Sequence, residues 1–71
     1  MTAKIDARGL SCPQPVVLVK KAMEEGQPET LEVLVDTVTS RENVSRTARS
    51  SGYGVEIVEK PGEFLLILRR G

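Results

Sequence analysis

The chain of 71 residues contains no histidine and a single cysteine, Cys12. Without histidine, a cysteine–histidine catalytic pair cannot form and no imidazole can act as a base. Without a second cysteine, an internal disulfide and a C-x-x-C redox pair are both excluded, and no cluster has the spacing of a zinc site. Any chemistry at Cys12 therefore proceeds without a histidine partner and without a second thiol of this chain.

The chain also has no net charge, since ten basic residues balance ten acidic ones. It lacks the positive field that attracts nucleic acid, and with one tyrosine and one phenylalanine it has little to stack against bases. We therefore interpret Arg41, Arg46 and Arg49 as a solvated helix face and expect no nucleic-acid partner. No cofactor or metal is expected either.

Apolar runs of the length found in signal peptides or membrane spans are absent. The lone cysteine fits a reducing compartment. We therefore expect a cytoplasmic protein with no membrane partner.

The hydrophobic pattern predicts a single domain over residues 1–71, with the element order βαβαββ. Val16, Val19 and Met23 mark the core face of the first helix, and Val44 and Ala48 that of the second. A capping-box pattern over 39–42 predicts the start of the second helix, which ends at Gly52. Strands are expected at 4–7, 31–36, 53–59 and 64–70, and the first helix at 13–25.

This order predicts an α/β fold, a two-layer α/β sandwich. A strand–helix–strand unit pairs the first two strands in parallel, and a turn at Pro61-Gly62 joins the last two in a hairpin. The expected sheet is therefore mixed and four-stranded, with both helices on one face.

Cys12 lies between a glycine turn and a predicted helix, in a segment of sequence Arg8-Gly9-Leu10-Ser11-Cys12-Pro13-Gln14-Pro15. Proline is favoured at the first helical position, so Pro13 places Cys12 at the helix cap. The positive end of the helix dipole favours a thiolate there. The alternative is a structural cysteine, a small side chain that only packs.

The surroundings of the thiol predict only a modest lowering of its pKa. Pro13 and Pro15 carry no N–H, which leaves the amide of Gln14 and the one after Pro15 as donors. Gly9 gives the turn its backbone freedom. Arg8 is the nearest cation in sequence, and it either supplies charge to the thiolate or is a solvated loop residue.

The segment Asp6-x-Arg8-Gly9-Leu10-x-Cys12-Pro13-x-Pro15, followed by a helix with Lys20 and Lys21, resembles the TusA/SirA/YedF-like sulfur carrier family. Residues 41–44 and 51–53 further resemble the N-terminal domain of YedF-type proteins. The resemblance covers essentially the whole chain. It implies either a stand-alone carrier or a domain that precedes a second one, with a link to sulfur or selenium metabolism.

The resemblance implies that Cys12 accepts sulfane sulfur from a cysteine desulfurase or another sulfurtransferase. The protein would carry it as a persulfide and pass it to a downstream acceptor protein, as a carrier more than a stand-alone turnover enzyme. Two other functions stay open: a thiol redox sensor, and a regulatory or protein-binding module with a non-catalytic cysteine.

The last strand is apolar without alternation from Phe64 to Leu68, which is typical of a strand covered on both sides. A two-layer fold covers only one side. We therefore expect an apolar docking surface on the uncovered face, for a second domain or a second copy of the chain. The strand order that the resemblance implies makes the last strand interior, which brings together Leu34, Val58, Leu65 and Ile67. The alternative is an exposed apolar patch without a partner, as small proteins tolerate.

Overall fold

A computed structural model describes residues 2–10, 14–26 and 29–70. Within them the chain forms the predicted order βαβαββ. The elements are β1 (Thr2–Asp6), α1 (Gln14–Gly26), β2 (Thr30–Val35), α2 (Val38–Ser50), β3 (Tyr53–Lys60) and β4 (Glu63–Arg70).

The four strands form one mixed sheet in the order β1-β2-β4-β3. β1 is parallel to β2, as a helical crossover requires, and β4 is antiparallel to both of its neighbours. Val58 lies opposite Leu65 and Glu56 opposite Ile67, so the β3–β4 hairpin has the register in which Lys60 faces Glu63. The predicted two-layer α/β architecture is confirmed.

The core lies between the sheet and the two helices. Alternate residues of the interior strands point into it. The sequence of β4 shows no alternation of apolar and polar residues, but the burial of its side chains does alternate. Leu66 and Leu68 are fully buried, whereas Leu65 and Ile67 are half-buried on the other side. The fully buried residues of β2 are Leu31, Val33 and Val35.

The helices contribute the residues that their spacing predicts. Val19 and Met23 of α1 and Val44 and Ala48 of α2 are buried. Val16 is only half-buried, and the buried residue in the first turn of α1 is Pro15. The core face of α1 is therefore rotated slightly from the predicted one.

The predicted start of α2 is wrong by two residues. Thr37, not Thr39, is the N-cap: its backbone is extended (φ −133°, ψ 152°) and its hydroxyl accepts the N–H of Ser40 at 3.0 Å. Glu42 does not complete a capping box but pairs with Arg41 at 2.9 Å. Because β2 ends at Val35, the chain reaches a capping threonine sooner than the sequence pattern indicates.

Arg41 also departs from the solvated helix face predicted for the three arginines. Its guanidinium carbon lies 4.9 Å from the centre of the Phe64 ring, and its side chain is only 24% exposed. This cation–π contact attaches α2 to the start of β4. Arg46 and Arg49 are exposed, as expected.

Candidate functional site

The segment that leads to Cys12 leaves the sheet at the carboxyl ends of β1 and β2. The ladder between these strands extends one residue past β1, since the N–H of Ala7 donates to the carbonyl of Leu34 at 2.8 Å. Ala7 is buried, and the chain turns away immediately after it. Parallel strands end at the same edge, so this edge also receives the chain that enters α2.

Gly9 makes the turn with a left-handed backbone, at φ 77°. Its N–H donates to Oδ2 of Asp36 at 3.0 Å, a bond between residues 27 positions apart. Among the residues that the structure describes, a Cβ at Gly9 would meet no atom within 4 Å, so the turn requires glycine for its backbone angle.

Arg8 is bound to carboxylates on both sides. Its guanidinium donates to both oxygens of Asp6, from Nε at 2.9 Å and from Nη2 at 2.8 Å. The backbone N–H of Arg8 donates to Asp6 Oδ1 as well, at 3.1 Å. A third group, Nη1, reaches Glu63 Oε1 at 3.3 Å. Arg8 thus joins the end of β1 to the start of β4, across the end of β2.

These contacts fix the charge states of the pair. Hydrogen bonds from the Arg8 side chain and then its backbone lower the pKa of Asp6 from 3.8 to about 2. The hydrogen bond with Asp6, and then its charge, raise the pKa of Arg8. The guanidinium charge is therefore compensated by two carboxylates. That Arg8 also stabilises a thiolate at Cys12 stays a prediction.

Cys12 and Pro13 lie outside the described residues, and so does the predicted helix cap at Cys12. The structure does place the residues on either side. Gln14 is the first residue of α1 and is exposed, whereas Pro15 is fully buried against the core. Cys12 is thus two residues before the first turn of α1 in sequence, and three after Gly9.

An apolar surface next to this segment was not predicted. Val17 and Leu18 of α1 are 55% and 39% exposed, and with Leu10 and Gln14 they line a shallow hollow of about 350 Å³. The signal was present in the four consecutive apolar residues 16–19. A helix against a sheet buries one stripe, so part of such a run has to face outward.

The predicted docking residues lie together on the sheet face away from the helices, which we call the open face. Leu34, Leu65 and Val58 form a row across β2, β4 and β3, and Ile67 follows two residues along β4. Val58 is 36% exposed and the other three are half-buried. Their place on one uncovered surface agrees with the expectation, while a docking role stays a prediction.

Charged side chains surround this apolar patch. A hollow of about 360 Å³ on the same face is lined by Leu34 and Leu65 together with Lys4, Asp6, Glu32 and Lys60, among others. On the β3 side, Arg69 pairs with Glu56 at 3.0 Å. The open face therefore has an apolar centre and a rim of both signs.

Among residues 2–10, 14–26 and 29–70, no group of three acidic, histidine or cysteine side chains is placed to hold a metal ion. No helix in those ranges has the length and apolar character needed to cross a bilayer.

Comparison with known proteins connects this architecture to sulfur metabolism. The family model described as sulfurtransferase TusA matches residues 3–70. A solved SirA-like protein of Desulfitobacterium hafniense is 38% identical to this chain, with a TM-score of 0.88 over 100% of this chain and 99% of that one. The fold and the sequence thus point to the same family.

Curated relatives agree with that result. A protein of Methanocaldococcus jannaschii named as a candidate sulfur carrier is 38% identical over 94% of this chain and 92% of its own length. Another candidate sulfur carrier, from Thermotoga maritima, is 36% identical over 87% and 80%. The candidate sulfur carrier YrkF of Bacillus subtilis is 36% identical over 99% of this chain but only 39% of that longer protein.

Proposed function

This chain belongs to the sulfurtransferase TusA family, and on that premise we propose that it is a sulfur carrier that holds its sulfur as a persulfide on Cys12. The family match over residues 3–70 is the observation that carries the proposal. Cys12 is the only residue of the chain with a thiol, so it is the one residue able to hold sulfur in this way.

The transfer step needs nothing that this chain lacks. The thiolate of Cys12 attacks the terminal sulfur of a persulfide on the donor protein. A new S–S bond forms at Cys12, the S–S bond of the donor breaks, and the donor leaves as a thiolate. Attack by an acceptor thiolate on the outer sulfur repeats the exchange and regenerates Cys12. Charge and oxidation state balance, so no internal base and no resolving thiol are required.

A sulfur carrier interacts with a donor protein and an acceptor protein. We propose a cysteine desulfurase or another sulfurtransferase as the donor, acting in the cytoplasm. The thiol would be presented by the predicted environment of Arg8, Gly9, Pro13, Gln14 and Pro15. The exposed Val17 and Leu18 support docking of a partner protein, since they lie in the helix that follows Cys12 in sequence and offer apolar surface that a partner would cover.

The same proposal includes two further statements: residues 1–71 form a single domain, and this domain is similar to the N-terminal domain of YedF-type proteins. The longer Bacillus subtilis relative is compatible with a role as one domain of a larger protein, because this chain matches only 39% of its length. The apolar patch of Leu34, Val58, Leu65 and Ile67 would then seat a further domain or a second copy. Whether sulfur or selenium is carried depends on the donor.

Mass spectrometry of the intact protein tests the proposal directly. After incubation with a cysteine desulfurase and L-cysteine, the wild-type chain should gain the mass of one sulfur atom, which a reductant removes. Cys12→Ser should keep the fold, by circular dichroism, and gain nothing.

Two results would contradict the persulfide assignment. One is sulfur loading of the serine variant. The other is a wild-type chain that takes no sulfur from any persulfide donor but forms a sulfenic acid with peroxide, which would favour the redox sensor.

A further inference from the structure

We propose that Asp36 is a positioning residue for Cys12: its carboxylate holds Gly9 and thereby presents the thiol to the partner protein. The inference rests on the proposed function, because it assigns a role in sulfur transfer to a residue outside the Cys12 segment. It goes beyond the family motif, which ends at Pro15.

The hydrogen bond between Asp36 and Gly9 lies just beyond the last backbone hydrogen bond between β1 and β2. Backbone pairing with β2 ends with the bond from Ala7 to Leu34. Two residues later the N–H of Gly9 donates to a side chain instead, Asp36 Oδ2 at 3.0 Å. Asp36 thus continues the attachment of the segment to β2 past the end of the ladder.

Asp36 is itself firmly placed. The preceding residue, Val35, is fully buried in an interior strand, and the following residue, Thr37, is the N-cap of α2. The backbone at Asp36 is therefore fixed on both sides, by the sheet and by a helix start. The Asp6–Arg8 pair joins residues only two apart, and the contact of Arg8 with Glu63 in β4 is longer, at 3.3 Å.

Cys12 follows Gly9 by three residues in the sequence, which limits how far apart the two can lie. Three residues span at most about 11 Å when fully extended, so the orientation of the Gly9 peptide limits where Cys12 can lie. Persulfide exchange requires an aligned approach of the attacking sulfur, and a small displacement of a reacting group reduces the rate sharply. Loss of the Asp36 bond should therefore slow sulfur transfer even in a folded protein.

The test compares three variants in persulfide loading by a cysteine desulfurase and L-cysteine. Asp36→Ala removes the acceptor and should slow loading about tenfold, the effect expected for a lost charge-assisted hydrogen bond. Asp36→Asn keeps an acceptor oxygen and should load within about twofold of wild type. Glu59→Ala removes an equal charge from the hollow that Asp36 also lines, and should load normally.

Rescue by asparagine separates positioning from charge, and chemical denaturation shows that each variant is folded at the assay temperature. Normal loading of Asp36→Ala would overturn the inference, as would equal impairment of Asp36→Asn. If wild type loads and Asp36→Ala loads equally, only the role of Asp36 is refuted. If wild type takes no sulfur at all, the proposed function fails, and the inference with it.

Discussion

Replacing Gly9 by L-alanine in one variant and by D-alanine in another tests whether the turn requires a left-handed backbone at this position. An L-residue at φ 77° adopts a left-handed conformation, which costs about 1–2 kcal/mol. No atom of residues 2–10, 14–26 or 29–70 lies within 4 Å of a Cβ built there, so no clash with this part of the chain adds to the cost. We expect L-alanine to lower the free energy of unfolding by about that amount, and the melting temperature by about 4–8 °C per kcal/mol.

D-alanine favours the backbone angle that Gly9 already has, and it restricts the unfolded chain. It should therefore stabilise the protein, by about 0.4–1 kcal/mol. A chain of 71 residues is within reach of chemical synthesis, and urea denaturation of the two variants and the wild type measures the difference. Equal stability of the L- and D-alanine variants would refute the assignment of a left-handed turn at Gly9.

Three further predictions concern the Asp6–Arg8 pair, the start of α2 and the open face. Asp6 has a pKa lowered from 3.8 to about 2, so the stability it contributes is complete above its unfolded pKa and is lost as the pH falls through about 2. The unfolding free energy of wild type should thus fall more steeply between pH 4 and 2 than that of Asp6→Asn. Parallel curves for the two proteins would contradict this. Thr37→Ala removes the α2 cap and should cost about 1 kcal/mol in urea denaturation, whereas a loss below the error of the measurement would indicate a different cap. Ile67→Lys should abolish self-association or domain docking while Cys12 reacts with iodoacetamide at the wild-type rate. Ile57→Lys, on the other face of the sheet, is the control, and wild-type sedimentation that is monomeric at all concentrations, with no partner at the patch, would argue against docking.

Most of the architecture is predictable from the sequence because it depends on local patterns. Alternation places Leu31, Val33 and Val35 on one face, and helical spacing places Val44 and Ala48 on another. The hairpin register follows from the turn at Pro61-Gly62, since the pairing of one residue determines that of the rest. The start of α2 was harder, because it depends on where β2 ends as well as on which residues can cap.

The site was less predictable, because its contacts join residues distant in sequence. Nothing near Gly9 indicates that its N–H is held by Asp36, and nothing near Arg8 indicates a contact with Glu63, 55 residues away. Both depend on the strand order, which brings together the ends of β1 and β2 and the start of β4. The exposed position of Val17 and Leu18 was accessible to sequence reasoning, since one stripe of a helix cannot bury four consecutive apolar residues.

The position of β4 between β2 and β3 has a consequence for synthesis on the ribosome. β3 reaches the rest of the sheet only through β4, which follows it in the chain. Until β4 emerges, β2 and β3 each present open edges, and the hydrophobic side of β2 lacks Leu66 and Leu68 beside it. A nascent chain stopped before residue 63 would therefore expose edges of β2 and β3 that β4 covers in the completed sheet, and such edges can pair with other chains.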